Sequence, residues 1–167
     1  MRIGLITDTH ENTDTIKWAV RKANNSNLDL FIHLGDIISP IMYRYFKNIN
    51  SKYLFLYGNN DGERQWLKEK FINIYEPPYI LNKNNMKFYL THIDTDWDEV
   101  IEKENPDFIF YGHTHKFNLE KRKDTVIFNP GEACGLLENL HNFAIVDLRK
   151  NSIKVLKKFD DSREYKF

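Results

Sequence analysis

Two histidines end an apolar run near the middle of the chain. Residues 108–112 (Phe-Ile-Phe-Tyr-Gly) have the composition of a buried strand, and His113 and His115 follow closely. At the carboxyl end of a strand, where we expect Gly112 to let the backbone turn, both imidazoles can converge on one point outside the sheet. Neutral imidazole is the commonest metal ligand in proteins. The pattern therefore indicates a metal site, although so short a motif also occurs on ordinary polar loops.

Four other predicted strands end in residues of the same kind. Apolar runs at residues 2–7, 28–34, 53–57 and 87–91 have strand length, and each is followed by a carboxylate, an amide or an imidazole. Because ligands of open α/β sheets bind outside the carboxyl ends of the strands, we expect these groups to meet at one edge. The groups delivered there are Asp8, His10, Asp36, Asn59, His92, His113 and His115.

These side chains are too many for one metal ion. A structural zinc takes four ligands, and the chain has no second cysteine with which to build a thiolate site. Two divalent ions about 3.5–4 Å apart can share a carboxylate, grip a phosphate and activate the hydroxide between them. Mixed nitrogen and oxygen ligands favour transition metals over Ca²⁺ or Mg²⁺. We therefore predict two divalent transition-metal ions, with manganese ranked first and nickel, iron, cobalt and zinc as alternatives.

Composition excludes several classes of protein. Lys and Arg together number 24, as do Asp and Glu, so the net charge gives no reason to expect nucleic acid or a membrane as partner. The single Cys134 cannot form an intramolecular disulfide, and no apolar run approaches the ~20 residues of a membrane span. Because the N-terminus also lacks a secretory signal, we expect a cytoplasmic protein. A chain of 167 residues fits one domain, residues 1–167, with a frayed tail at 160–167.

Helical patterns alternate with the early strands. Stripes of apolar residues with helical spacing occur at residues 13–23, 40–49, 63–71 and 97–104, whereas residues 117–128 and 142–158 are typical of hairpins. Alternating strands and helices favour a mostly parallel sheet, and hairpins favour antiparallel strands. We therefore predict an α/β fold in which two packed mixed sheets are flanked by helices.

The order of the polar motifs resembles the calcineurin-like metallophosphoesterase superfamily. In chain order the motifs are Asp-x-His at 8–10, Gly-Asp at 35–36, Gly-Asn-x-Asp at 58–61, His92, and Gly-His-x-His at 112–115. The short chain, the string at 58–64 and the Asn-Pro-Gly-Glu sequence at 129–132 look most like the small archaeal and bacterial phosphodiesterases. The resemblance implies a four-layer α/β/β/α sandwich. It also implies one metal held by Asp8, His10 and His115, another by Asn59, His92 and His113, and Asp36 bridging the two.

Position 60 departs from the superfamily pattern. Many members have a histidine there, oriented by the following acid, which protonates the leaving group. Asn60 has no proton to give at neutral pH, although its amide can donate hydrogen bonds to a phosphoryl oxygen and Asp61 is available to orient an introduced imidazole. Asn60 and Asp61 are our candidate catalytic residues. A second departure is the bulky Ile93, where many members have glycine after the ligand.

Other conspicuous residues have structural interpretations. We expect His33, inside the second strand, to be a buried histidine that is not a ligand, and His141 to lie on a loop. Cys134 could be a reactive thiol near the site, but a small packed residue is the simpler interpretation. We place Trp66 on the inward stripe of its helix.

We predict a phosphodiesterase in which a metal-bridging hydroxide attacks phosphorus in line, with a small phosphodiester or nucleotide-like substrate. A phosphomonoesterase or nucleotidase is the runner-up. A non-catalytic scaffold is the alternative from another class, because the superfamily contains a retromer subunit that keeps the fold for protein binding after losing ligands. All seven ligand positions are filled here, which argues against a scaffold. Zero net charge disfavours a nuclease, and homo-oligomer formation stays open.

Overall fold

A computed structural model describes residues 1–167 and contains twelve strands and four α-helices. The helices are α1 Thr13–Asn24, α2 Tyr43–Phe46, α3 Arg64–Lys70 and α4 Trp97–Glu104. The first six strands are β1 Arg2–Ile6, β2 Leu30–His33, β3 Lys52–Leu56, β4 Ile74–Tyr75, β5 Tyr79–Lys83 and β6 Met86–Leu90. The last six are β7 Phe108–Phe110, β8 Phe117–Arg122, β9 Thr125–Pro130, β10 Asn142–Asp147, β11 Ser152–Lys157 and β12 Arg163–Lys166.

The strands form two mixed sheets. The larger sheet has seven strands in the order β12-β11-β10-β1-β2-β3-β4, and the smaller has five in the order β5-β6-β7-β9-β8. In the larger sheet β1, β2, β3 and β4 are parallel neighbours, while β10, β11 and β12 join antiparallel. In the smaller sheet β6, β7 and β9 are parallel. The carboxyl ends of six of these parallel strands supply the site described below.

Alternating side chains build four layers. In β7, Phe108 and Phe110 face the core between the two sheets, whereas Ile109 packs with Trp97 of α4. A separate apolar cluster joins the outer face of the larger sheet to α1, α2 and α3. Helices therefore cover the outer face of each sheet, and the predicted α/β/β/α sandwich is confirmed. No helix is long and apolar enough to cross a membrane.

The prediction that residues 160–167 fray is wrong. Arg163–Lys166 forms β12, which pairs antiparallel with β11. Tyr165 and Phe167 pack against the core between the sheets, and the rings of Tyr165 and Phe117 stack with centroids 5.2 Å apart. Charged residues alternate with these two aromatic residues, which is the period-two pattern of a half-buried edge strand.

Other parts of the fold also differ from the sequence prediction. Ser39 caps a 3₁₀ turn at Pro40–Met42, and only Tyr43–Phe46 continues as α-helix. Trp66 does not face inward: 47% of its surface is exposed, and its neighbour Leu67 is the buried residue of this helix. The short strands β4 and β5, on either side of the Pro77-Pro78 pair, are absent from the sequence prediction.

Candidate metal centre

All the predicted ligands lie at the edge where the two sheets present their strand ends. Asp8 and His10 follow β1, Asp36 follows β2, Asn59 follows β3, His92 follows β6, and His113 and His115 follow β7. Ion-pair distances connect the two sheets, since Asp8 is close to His115 and Asp36 is close to His92. The expectation that these groups converge therefore agrees with the structure, and their role as ligands stays a prediction.

The backbone is strained at this edge. Asp8, His10, Asp36, His113 and His115 have φ angles of 51°, 37°, 60°, 65° and 63°. This left-handed region is uncommon for any residue but glycine, although Asp and His adopt it more often than most. Each such residue costs about 1–3 kcal/mol, and strain of this kind concentrates at functional sites. These turns are what aim the side chains outward from the strand ends.

Gly112 serves a different purpose from the one we predicted. It does not have a positive φ angle, and the turning residues are the two histidines themselves. A Cβ atom at position 112 would collide with the side chain of Thr7, which follows β1 of the other sheet. Glycine is needed here because the two sheets approach each other closely just below the site.

Asp8, His10 and His115 form one half of the centre, which we call the Asp8 subsite. Asp8 Oδ2 accepts hydrogen bonds from the Thr7 hydroxyl at 2.7 Å and the His113 backbone N–H at 3.1 Å. Asp8 Oδ1 stays free and lies 3.6 Å from His115 Nε2 and 4.0 Å from His10 Nε2. Burial raises the pKa of Asp8 above its ordinary value. One carboxylate oxygen and two imidazole nitrogens thus face one another.

Asn59, His92 and His113 form the other half, the His92 subsite. His92 is fully buried, and its Nδ1–H donates to the Leu34 carbonyl at 2.8 Å. Its Nε2 therefore points into the site, 2.9 Å from Asn59 Oδ1, and the rings of His92 and His113 lie 5.3 Å apart. Burial alone would lower the pKa of His92, but the hydrogen bond and charge of Asp36 and the charge of Asp8 outweigh it and raise that pKa.

Asp36 lies between the two subsites and faces both. Its Oδ1 is 3.5 Å from His92 Nε2, and its Oδ2 is 3.4 Å from His10 Nε2. Burial would raise the pKa of Asp36, but hydrogen bonds from His92 and Asn60 hold it below the ordinary value. An ionised carboxylate with one oxygen toward each subsite has the geometry of a bridging ligand.

The donor atoms of both subsites fit divalent cations. Asp8 Oδ1 and His10 Nε2 are buried without any hydrogen-bond partner, which is costly for polar atoms. In the His92 subsite, Nδ1–H donates to the Leu34 carbonyl, so Nε2 is the ring nitrogen that faces Asn59 Oδ1 and Asp36 Oδ1, and in the neutral ring it would offer its lone pair to a cation. Convergent lone pairs of nitrogen and oxygen are what a divalent transition metal requires.

Both candidate catalytic residues contact Asp36. The Asn60 side-chain amide donates to Asp36 Oδ2 at 2.7 Å, and its backbone N–H donates to Oδ1 at 3.0 Å. Asp61 is buried, and its carboxylate accepts backbone N–H groups at 2.6–3.1 Å, those of Asp36, Ile37, Ile38 and Gly58. Asp61 thereby ties the loop after β2 to the loop after β3.

Glu132 was not predicted as part of the site. It follows β9, which is parallel to β7, so its strand also ends at this edge. It is fully buried, and Oε2 lies 2.5 Å from His115 Nδ1. Burial would raise the pKa of Glu132, but hydrogen bonds from His115 and backbone N–H groups lower it to about 2. The sequence at 117–128 predicts only a hairpin, so it carries no signal that the strand before Glu132 also runs parallel to β7 and ends at this edge.

His33, Cys134 and His141 lie in surroundings that agree with their structural interpretations. His33 is buried, its pKa is lowered to about 3 chiefly by burial, and its Nδ1 accepts from Gly35 N–H. Nε2–H of the same ring therefore donates to the Thr9 hydroxyl at 3.0 Å. Cys134 is buried next to the Asp8 subsite, and burial raises the pKa of its thiol to about 12. His141 lies outside regular structure and contacts the Thr15 hydroxyl at 3.0 Å.

The fold and these motifs define a calcineurin-like metallophosphoesterase. The model of the calcineurin-like phosphoesterase superfamily domain matches residues 1–151, and the chain belongs to that family. It is 34% identical to phosphodiesterase MJ0936 of Methanocaldococcus jannaschii over 161 residues, which is 92% of this chain and 97% of the relative.

Solved structures agree with this assignment. A structure of a novel archaeal phosphodiesterase superposes with a TM-score of 0.85 at 32% identity, covering 94% of this chain and 99% of that one. Vps29 from Entamoeba histolytica superposes with a TM-score of 0.79 at 16% identity, covering 100% of this chain and 99% of that one. The second similarity, at such low identity, shows the shared fold alone.

Proposed function

We propose that the chain is a phosphodiesterase with a two-metal centre. The metals would be held by Asp8, His10, Asp36, Asn59, His92, His113 and His115. The observation that carries this proposal is the position of Asp36, whose two oxygens face different subsites at 3.4 and 3.5 Å. The similarity over nearly the whole chain to a relative named as a phosphodiesterase supports the same activity.

Two divalent cations would supply Lewis acidity, lowering the pKa of water to give a nucleophile and neutralising charge on the phosphoryl oxygens. Asp36 would hold the two subsites at a fixed separation. Asn60 donates two hydrogen bonds to Asp36 and so orients it toward both subsites. Nitrogen and oxygen donors favour manganese, iron, cobalt, nickel or zinc, and we propose manganese first.

A diester rather than a monoester is the proposed substrate. A monoester dianion carries more charge and is stabilised by additional cations near the site. Arg64 contacts the loop that carries Asn59 and Asn60, but its guanidinium is engaged by Glu76 at 2.6 and 2.8 Å and by the Gly58 carbonyl at 3.2 Å. Arg64 therefore already has partners in Glu76 and the Gly58 carbonyl, and it contacts the loop rather than either subsite.

The test is turnover of matched aryl esters by metal-free protein reloaded with Mn²⁺. Bis-p-nitrophenyl phosphate should be hydrolysed faster than p-nitrophenyl phosphate, and chelation should abolish both activities. A clear preference for the monoester at matched metal and pH would replace this proposal with the phosphomonoesterase. Absence of turnover with Mn²⁺, Ni²⁺, Co²⁺, Fe²⁺ and Zn²⁺ alike would favour the scaffold.

A further inference from the structure

Glu132 is a fully buried carboxylate that contacts a predicted metal ligand without being one itself. We propose that Glu132 is a positioning residue, which fixes the tautomer and orientation of His115 and thereby sets the affinity of the Asp8 subsite for its cation. This inference rests on the proposed two-metal centre. The sequence predicted that five strand ends supply the site. Glu132, which follows β9, adds a sixth.

The contact with His115 selects one tautomer. An ionised carboxylate only accepts hydrogen bonds, so Glu132 Oε2 at 2.5 Å from His115 Nδ1 requires a proton on Nδ1. His115 Nε2 lies on the other side of the ring, 3.6 Å from the free oxygen of Asp8. In the neutral ring that nitrogen carries a lone pair. A carboxylate behind a ligating imidazole orients the ring and makes it a better donor.

The carboxylate is itself held so that it cannot rotate. Its Oε1 accepts the backbone N–H groups of Glu138 at 2.9 Å and Leu140 at 3.3 Å. The Leu137 N–H is shared between Oε1 at 3.2 Å and Oε2 at 3.1 Å, and the Cys134 thiol donates to Oε2 at 3.3 Å. Its backbone N–H donates to the His115 carbonyl at 2.9 Å. Glu132 is therefore attached both to the segment that carries His115 and to the loop at 136–140.

The hydrogen-bond pattern requires a carboxylate at this position. Oε2 faces the ring N–H of His115 and the Cys134 thiol, Oε1 faces the backbone N–H groups of the loop, and the Leu137 N–H is shared between them, so both oxygens must be acceptors. The amide of a glutamine has one acceptor oxygen and one NH₂ donor. If the oxygen faces the loop, the NH₂ faces His115 and favours the other tautomer, with the proton on Nε2 where the metal would bind. If the oxygen faces His115, the NH₂ meets the donors of the loop.

The experiment measures Mn²⁺ binding to the metal-free full chain by titration calorimetry and equilibrium dialysis. Glu132→Gln should weaken one of the two sites by about 10–100-fold, the usual cost of losing an outer partner of a ligand, and leave the other site unchanged. The matched control is Glu138→Gln in the same loop, which removes an exposed carboxylate but keeps the backbone N–H that Glu132 accepts. Glu138→Gln should bind as the wild type does.

A double-mutant cycle separates positioning from a general structural effect. In a His115→Ala background, Glu132→Gln should have little further effect on Mn²⁺ affinity, because the residue through which it acts is missing. An equal loss in both backgrounds would mean that Glu132 acts through the fold, and the inference would be withdrawn. An unchanged affinity in the single variant would overturn it directly.

A metal-independent readout is the tautomer of His115. Long-range ¹H–¹⁵N spectra of metal-free protein, at a pH where the ring is neutral, should show the proton on Nδ1 in the wild type. A proton on Nε2 there would contradict the proposal. Wild-type protein that binds two ions but hydrolyses no phosphodiester would remove the proposed activity and leave the Glu132 result standing, whereas protein that binds no ion would overturn both.

Discussion

The Asp8 subsite and the His92 subsite lie side by side at one edge of the molecule, yet they are built from different chemistry. The Asp8 subsite has a carboxylate of its own, and His115 is held by the Glu132 carboxylate. The His92 subsite has the neutral amide of Asn59 in the corresponding role, and His92 is held by a backbone carbonyl. Both share Asp36. Counted by charge, the Asp8 subsite is therefore the more negative of the two.

This difference implies that the two subsites respond differently to a cation. In the Asp8 subsite, two buried polar atoms have no protein partner, so a cation would relieve a cost of about 1–3 kcal/mol for each. In the His92 subsite, Asn59 Oδ1 and His92 Nε2 are already 2.9 Å apart. We expect the Asp8 subsite to bind its ion first and more tightly, because opposite charges attract strongly in a partly desolvated site.

We expect the largest effect from replacing Asp36, the residue that the two subsites share. Asp36→Asn should weaken Mn²⁺ binding at both subsites, because it removes a bridging charge from each. The loss of affinity should exceed ~10–100-fold, which is the usual cost of removing a residue that only hydrogen-bonds to a ligand. Metal content after dialysis and the two dissociation constants measure this. Asp14→Asn, an exposed carboxylate in the first turn of α1, is the matched control. If Asp36→Asn weakens one subsite alone, Asp36 does not bridge.

The next effect is on the free energy of unfolding, and it concerns the loops after β2 and β3 that Asp61 ties together. Asp61→Asn replaces one carboxylate oxygen with an NH₂ group that faces backbone donors, so at least one buried N–H loses its acceptor. We expect the free energy of unfolding to fall by about 1–3 kcal/mol. Urea unfolding of the metal-free protein measures it. A change below about 0.5 kcal/mol, as at ordinary surface positions, would mean that these hydrogen bonds do not hold the loops together.

A substitution with a smaller expected effect makes the two subsites alike in charge and so tests whether charge sets their difference in affinity. Asn59→Asp gives the His92 subsite its own carboxylate, and the weaker of the two Mn²⁺ sites should tighten by about 10-fold, as ~1.4 kcal/mol of added attraction would produce. The two measured affinities should then approach each other. Asn118→Asp, on β8, makes the same chemical change on another strand and serves as the control. Unchanged affinity at the weaker site would show that charge does not set the order of filling.

Several parts of this edge could be predicted because they follow from strand geometry. The carboxyl ends of parallel strands meet at one edge, so Asp8, Asp36 and Asn59 had to approach one another once their strands were recognised. The apolar runs were strong enough to identify those strands. The number of oxygen and nitrogen donors then indicated two ions, without any knowledge of distances.

The parts that were missed depend on contacts between distant segments. Glu132 is far along the chain from Asp8, and nothing near it in sequence shows that its backbone runs beside His115. The left-handed φ angles of His113 and His115 oppose the ordinary preference of histidine, which is why the turn was assigned to Gly112. Asp61 belongs to the Gly-Asn-x-Asp motif, which suggests a catalytic role. In the structure its carboxylate instead accepts backbone N–H groups from two loops.

The last expected effect concerns Asn60, which contacts the shared Asp36 and has no proton to give to a departing alkoxide. Leaving groups should depart largely unassisted, so log(kcat/KM) for a series of diesters should fall steeply as the pKa of the leaving group rises. General acid assistance is worth ~10²–10⁴-fold where it operates, and it matters least for nitrophenolates, which leave readily as anions. Asn60→His should therefore flatten the slope, with poor leaving groups gaining most.

The structure changes how that variant would work. Both oxygens of Asp61 are occupied by backbone N–H groups, so an imidazole at position 60 would be oriented by Asp36, which already accepts the Asn60 amide at 2.7 Å. Asn60→Ala is the control, since it removes the amide without adding an acid and should lower every rate by a similar factor at matched metal occupancy. A shallow slope in the wild type would mean that another group already supplies the proton, and the role given to position 60 would be withdrawn.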